Sequence, residues 1–176
     1  MRMCDQSTLT SVVDYLNTSY PDGDREYVDG HIVERSLGEK SHSKVQGEVH
    51  HLFRLRRLSL GAFSFVEQRA QVKPHRFRIP DVCVYVNREP DEDVFVTPPF
   101  LVVAVRSRDD RASDLEEKID DYLEFGVPYV WVIDPRRRIG WVHTVESSRE
   151  ARDGVLRTRN PDIEMALGEI FSEEIR

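Results

Sequence analysis

Between Phe100 and Asp134 the chain holds two short, unbroken apolar runs separated by one sharply bounded amphipathic segment. The first run, Phe100-Leu-Val-Val-Ala-Val105, has no polar position, as a strand covered on both faces requires. The second, Tyr129-Val-Trp-Val-Ile133, reads as another buried strand. Between them a helix is predicted from Asp114 to Phe125. Ser113 with Glu116 has capping-box spacing, Leu115, Ile119, Tyr122 and Leu123 form one buried stripe, and Gly126 then Pro128 stop it. With the strand and helix signals before it, this order predicts a mixed α/β sheet with helices on its faces.

Upstream, Thr8–Leu16 reads as a short amphipathic helix. Asp29-Gly30 between Tyr27-Val28 and Ile32-Val33 is a hairpin signal. A second helix is predicted from Ser41 or Ser43, with Ser43 and Gln46 as a capping box and Val45, Val49, Leu52 and Phe53 as its apolar stripe. The segment AFSFVEQRAQV reads as one bent strand or two, and a further strand starts at Asp81, directly after Pro80. Ile139–Val145 is the expected hairpin partner of the second buried run. The tail offers a short strand at Val155-Leu156 and a helical turn near Leu167–Phe171.

Composition limits what such a sheet can do. At 176 residues one domain is the expectation, large enough to bury a core without disulfides or a structural metal. The net charge is −7, which excludes a histone-like polycation and confines any nucleic-acid contact to a local basic patch. One candidate lies between His50 and Pro80, where Arg54, Arg56, Arg57, Arg69, Lys73, Arg76 and Arg78 face a single acid, Glu67. The opposing reading is a solvated face that balances the acidic loop Glu89–Asp93. Two cysteines, Cys4 and Cys83, give no disulfide framework and suggest a reducing compartment. No secretory signal or membrane-length apolar run is present, so a soluble cytoplasmic protein without a membrane partner is expected. The six histidines match no zinc-ligand spacing. His42 reads as an exposed residue at a helix start.

The segments YVDGHIVERSLGEKSHSKVQGEV, RIPDVCVYV, LVVAVRS and SDLEEKIDDYLEFGVPYVWVIDP, in this order, resemble the Uma-two family of putative restriction endonucleases, within the PD-(D/E)XK nuclease superfamily. The resemblance implies a restriction-endonuclease-like α/β domain with a mixed central sheet flanked by helices. A helix and hairpin (about 8–36) would pack on a core (about 40–145), followed by a short tail. It implies metal-dependent hydrolysis of a phosphodiester, with Mg²⁺ or Mn²⁺ as the ion, nucleic acid (DNA foremost) as partner, and a possible homodimer. Asp81 would be the metal-binding carboxylate and Lys118 the charge-stabilising or water-positioning group. Glu48 is a further acidic candidate, with Glu34 a weaker one, and Arg106 and Arg78 are candidate phosphate contacts. Ala104 stands where the family's strand carries Glu. Alanine supplies no ligand, so weak or absent cleavage is expected, whether by natural loss or by replacement of Glu. The alternative is a non-catalytic nucleic-acid-binding or protein-interaction module on the same fold. Tyr85, Tyr122 and Trp131 are spaced for core packing rather than for stacking on bases.

Overall fold

The computed structural model describes residues 9–21, 23–35 and 39–172. From the N-terminal side come α1 (Val12–Asn17), the hairpin β1 (Glu26–Val28) and β2 (His31–Val33), α2 (Lys40–Leu55) and the turn α3 (Arg57–Leu60). Strands β3 (Ala62–Val66), β4 (Ala70–Lys73), β5 (Arg76–Arg78), β6 (Val82–Val86) and β7 (Leu101–Val105) lead into α4 (Ala112–Phe125). Then follow β8 (Tyr129–Asp134), β9 (Ile139–His143), β10 (Ser148–Glu150), β11 (Val155–Thr158), β12 (Ile163–Ala166) and the turn α5 (Leu167–Ile170).

The apolar runs form the middle of a six-stranded sheet in the order β10-β9-β8-β7-β6-β3. Within it β7 and β8 are parallel, and α4 is the crossover that parallel neighbours need. The other pairings are antiparallel. Alternation along the strands separates two cores. Val82, Val84, Leu101, Val103, Val105, Trp131 and Ile133 pack with Val45, Val49 and Phe53 of α2 on one face. Cys83, Tyr85, Val102, Val130 and Val132 meet Ile119 and Tyr122 of α4 on the other. Tyr85, Tyr122 and Trp131 are therefore interior side chains. A second sheet, β2-β1-β5-β4, sits beside α4, and β11 with β12 forms a hairpin whose Leu156, Ile163 and Met165 extend the first core.

Local signals held where they depended on neighbours in sequence. Asp29 and Gly30 both take positive φ (49° and 95°), the backbone of a type I′ turn, and register Tyr27 against Ile32. Gly126 ends α4 in the left-handed region at φ 106°. Both predicted capping boxes need correction. Helix α2 begins at Lys40, a turn earlier than Ser43, so Gln46 is free to reach elsewhere. Helix α4 begins at Ala112 after Arg111, and the Ser113 hydroxyl donates to the Asp114 carboxylate instead of capping a backbone N–H. AFSFVEQRAQV is two strands in two different sheets. Strand β12 had no clear sequence signal. Part of the predicted N-terminal helix and Cys4 lie outside the described residues.

Candidate active site

The antiparallel pairing Val82↔Val103, carried one residue further, sets Asp81 at the start of β6 beside Ala104 near the end of β7. The Val105 N–H donates to Asp81 Oδ2 at 2.7 Å, which fixes the carboxylate at this strand end. Helix α4 leaves from the same edge of the sheet and brings Lys118 and Tyr122 over it. Helix α2 brings His42, Ser43 and Gln46 from the opposite side. Together with Arg35, Glu67, Ser107 and Asp110 these residues border one cleft of about 230 Å³. Asp81, Ala104 and Lys118, 37 residues apart at most, thus share one cavity because the β7–α4–β8 crossover folds back over β6.

The Asp81 carboxylate is already well occupied. Arg35 Nη2 donates to Oδ1 at 3.0 Å, and His42 Nε2 lies 3.3 Å from the same oxygen. Gln46 Nε2 donates to the Asp81 carbonyl at 3.1 Å, which holds the backbone there. The hydrogen bond to Asp81 raises the His42 pKa above the ordinary imidazole value, against burial and the Arg35 charge, which lower it. A raised folded-state pKa stabilises the fold below the unfolded value, about 6.5, and that contribution is lost as pH rises through the folded value. An NMR titration of the His42 ring should accordingly give a midpoint above 6.5. Asp81→Asn should lower that midpoint, and an unchanged value would show that Asp81 does not hold the ring.

Lys118 lies at the rim, its ammonium 3.2 Å from Glu26 Oε2. Glu26 is fully buried, accepts from the Ile79 N–H at 3.2 Å, and also receives Arg78 Nη1 at 3.0 Å. Arg78 in turn bonds Asp121 through Nε at 2.8 Å. Lys73 and Arg76 converge on that same carboxylate. Burial pushes the Asp121 pKa up, but the bonds from Lys73 and Arg78 outweigh it and hold the carboxyl below its ordinary value. This network ties β1 and β5 to α4 and so fixes the helix that carries Lys118.

The other sequence candidates lie elsewhere. Arg78 is 2% exposed, so it is a buried structural cation and not the expected phosphate contact. Glu48 and Arg106 are absent from the lining of the cleft. On α2 the cleft side belongs to His42 and Gln46, one turn apart, and Glu48 falls two residues past Gln46 on another face. Arg106 turns toward the end of β8, with Nη1 3.5 Å from Asp134 Oδ2. Glu34, on the hairpin side, pairs with Arg25. The basic stripe is also corrected. Six of its seven cations pair with acids distant in sequence: Arg56 with Glu169, Arg57 with Glu89, Arg69 with Asp24, and Lys73, Arg76 and Arg78 within the network around Asp121. Of these acids only Glu89 belongs to the loop expected to balance the stripe.

Sequence reading missed Arg35 and assigned His42 to the surface. The His42/Gln46 spacing on α2 was the available signal for the second, and Arg35 had none.

A family model described as "Putative restriction endonuclease", Uma2, matches residues 12–171. The chain belongs to the Uma2 family. The crystal structure of a putative nuclease from Anabaena variabilis superimposes with a TM-score of 0.76 at 19% identity, covering 90% of this chain and 96% of that one. That likeness bears on the fold, a restriction-endonuclease-like sheet flanked by helices. No protein of curated function matches the chain.

Uma2 membership implies a divalent cation, but the residues present do not fit one. Mg²⁺ and Mn²⁺ take oxygen ligands, commonly one or two carboxylates. Here Oδ1 of Asp81 faces a guanidinium and an imidazole, Oδ2 accepts a backbone N–H, and position 104 offers a methyl group, while the cleft's other carboxylates are turned to Arg35 (Glu67) and to the Ser107 N–H (Asp110). Among the described residues no group of three His, Cys, Asp or Glu side chains could hold a metal ion. Among them, too, no helix is long and apolar enough to cross a membrane.

Proposed function

We propose that this Uma2 chain engages the phosphodiester backbone of nucleic acid, DNA foremost, at the Asp81–Lys118 cleft, and that it cleaves weakly or not at all. The observation that carries this reading is the shared cavity of Asp81, Lys118 and Ala104. The Lys118 ammonium is about one-third exposed at the rim and can donate to a phosphate oxygen. The Arg35 guanidinium has donors beyond the one given to Asp81. What the cleft lacks is a carboxylate at position 104, beside Asp81; its other two acids are engaged, Glu67 with Arg35 at 3.5 Å and Asp110 with the Ser107 N–H at 2.8 Å. With a methyl at 104, the strand beside Asp81 offers no group to hold or deprotonate a water in line with the phosphorus. The Mg²⁺ or Mn²⁺ dependence that the family implies therefore belongs to a chain with the carboxylate restored. Duplex cleavage on both strands needs two clefts, so a homodimer on DNA is part of the same reading, and sedimentation with and without a duplex tests it.

The test pairs binding with cleavage. The purified chain should bind a short duplex with affinity that falls as salt rises, and Lys118→Ala should reduce the slope of log K against log salt by about 1. Supercoiled plasmid should stay intact with Mg²⁺ or Mn²⁺, nicking should appear in Ala104→Glu, and it should vanish again when Asp81→Ala is added. Cleavage by the unaltered chain that depends on Asp81 would overturn the claim of impairment. Absence of duplex binding would overturn the nucleic-acid reading and leave the protein-interaction alternative.

A further inference from the structure

We infer that Arg35 is a resident counter-cation of Asp81, which fills the position a divalent ion would need and lets the cleft take a phosphate without metal. Arg35 follows β2 and precedes α2, yet its side chain reaches 46 positions ahead in sequence to Asp81. It is held at both ends of its fork, with Nη2 3.0 Å from Asp81 Oδ1 and Nη1 3.5 Å from Glu67 Oε1. Its side chain is 18% exposed and that of Asp81 12%, so the pair is partly shielded from water and little weakened by salt. A guanidinium is permanently charged and cannot step aside by losing a proton. Any divalent ion approaching Asp81 Oδ1 must displace this contact and then stand beside the released positive charge. His42 Nε2, on the same oxygen, narrows the approach further.

The methyl at 104 and the guanidinium on Asp81 are thus two separate obstacles to metal binding. Restoring Glu at 104 removes the first and leaves the second to weaken the ion's hold without barring it, so Ala104→Glu should nick with a loosely bound metal. The remaining guanidinium donors and the Lys118 ammonium, set among Glu26, Glu67 and Asp110, are the groups that would meet an anionic ligand, and the phosphodiester is the ligand class that the reading above supplies. On that ligand this inference rests on the proposed function, whereas its metal component stands apart from it.

The decisive experiment is a Mn²⁺ titration of the full chain by calorimetry and water-proton relaxation, with no nucleic acid present. It compares the unaltered chain, Ala104→Glu, and Ala104→Glu combined with Arg35→Gln, Arg35→Met or Arg35→Lys. Thermal melts of each variant establish folding, and Gln and Met provide two neutral replacements of different polarity. The unaltered chain should show no Asp81-dependent Mn²⁺ site. Ala104→Glu with either neutral replacement should bind Mn²⁺ at least about tenfold more tightly than Ala104→Glu alone, a gain within the range seen when partners of metal ligands are changed. The Lys combination, which keeps the charge, should stay near Ala104→Glu alone. Equal Mn²⁺ affinity in Ala104→Glu with and without Arg35 would overturn the assignment. So would one Mn²⁺ site in the unaltered chain that Asp81→Asn abolishes. In a separate arm, duplex affinity in EDTA and in Mg²⁺ at matched ionic strength should agree within about twofold for the unaltered chain, since phosphate contacts then come from the protein's cations alone. A clear requirement for Mg²⁺ would overturn metal-free binding. If no duplex binds, the nucleic-acid reading fails, while the Mn²⁺ titration still decides the role of Arg35.

Discussion

Arg78→Ala should lower the stability of the chain by about 3–5 kcal/mol, read as a fall in the urea midpoint with little change in slope. The reason is what the substitution leaves behind. Glu26 and Asp121 are essentially buried, and Arg78 bonds both, through Nη1 at 3.0 Å and Nε at 2.8 Å. Glu26 would keep Lys118 and the Ile79 N–H, and Asp121 would keep Lys73 and Arg76, so each acid retains part of its compensation. Neither would keep the cation that lies between them. Arg78→Lys should recover little, because a single ammonium cannot reproduce a planar fork aimed at two carboxylates. Neutralising all three together, as Glu26→Gln, Arg78→Met and Asp121→Asn, should be milder than Arg78→Ala, since no buried charge is stranded. A midpoint for Arg78→Ala within error of the unaltered chain would show that the network contributes no net stability. The pH dependence has a definite sign. The Asp121 carboxyl titrates below its ordinary value in the folded chain. Its contribution is therefore fully present above the unfolded carboxylate pKa, about 3.9, and is lost as pH falls through the lower folded value. Acid should loosen the β1–β5–α4 junction, and Lys118 with it.

Trp131→Ala should cost a similar amount, about 3–5 kcal/mol, by a different route. Trp131 lies on β8 between β7 and β9 and is fully buried against Phe53 of α2, with ring centroids 6.2 Å apart. Removing the indole opens a cavity where the sheet meets α2, and the paired strands on both sides prevent collapse. The loss should appear in the urea midpoint and in quenched near-ultraviolet circular dichroism. An effect below about 1 kcal/mol would mean that this core relaxes far more than close-packed interiors usually do. Nucleic-acid binding by a folded Trp131→Phe chain should be unchanged, since the ring is out of reach of any base.

The two substitutions mark how far sequence reading reached. Trp131 was legible as core because the evidence for it is local: an unbroken apolar run after a helix stopped by Gly126 and Pro128. The same holds for the Asp29-Gly30 hairpin and the apolar stripe of α4. Helix starts were less legible, because Ser43 and Ser113 satisfy a cap pattern equally well inside a helix or at its end. Asp81, Lys118 and Ala104 were placed by resemblance to the Uma2 pattern, and no spacing along the chain would have joined them.

The order of apolar runs, the turn residues and the helix stripes determined by themselves that this chain builds a mixed sheet with helices on its faces. These signals act between residues a few positions apart and survive in any folded context. Tertiary structure alone decided which charges meet. Arg78 and Glu26 are 52 positions apart, and Arg35 and Asp81 are 46. A charged side chain carries no periodic signature of its partner, and whether it is a surface ligand or a buried counter-ion depends on which strands and helices the packing brings beside it.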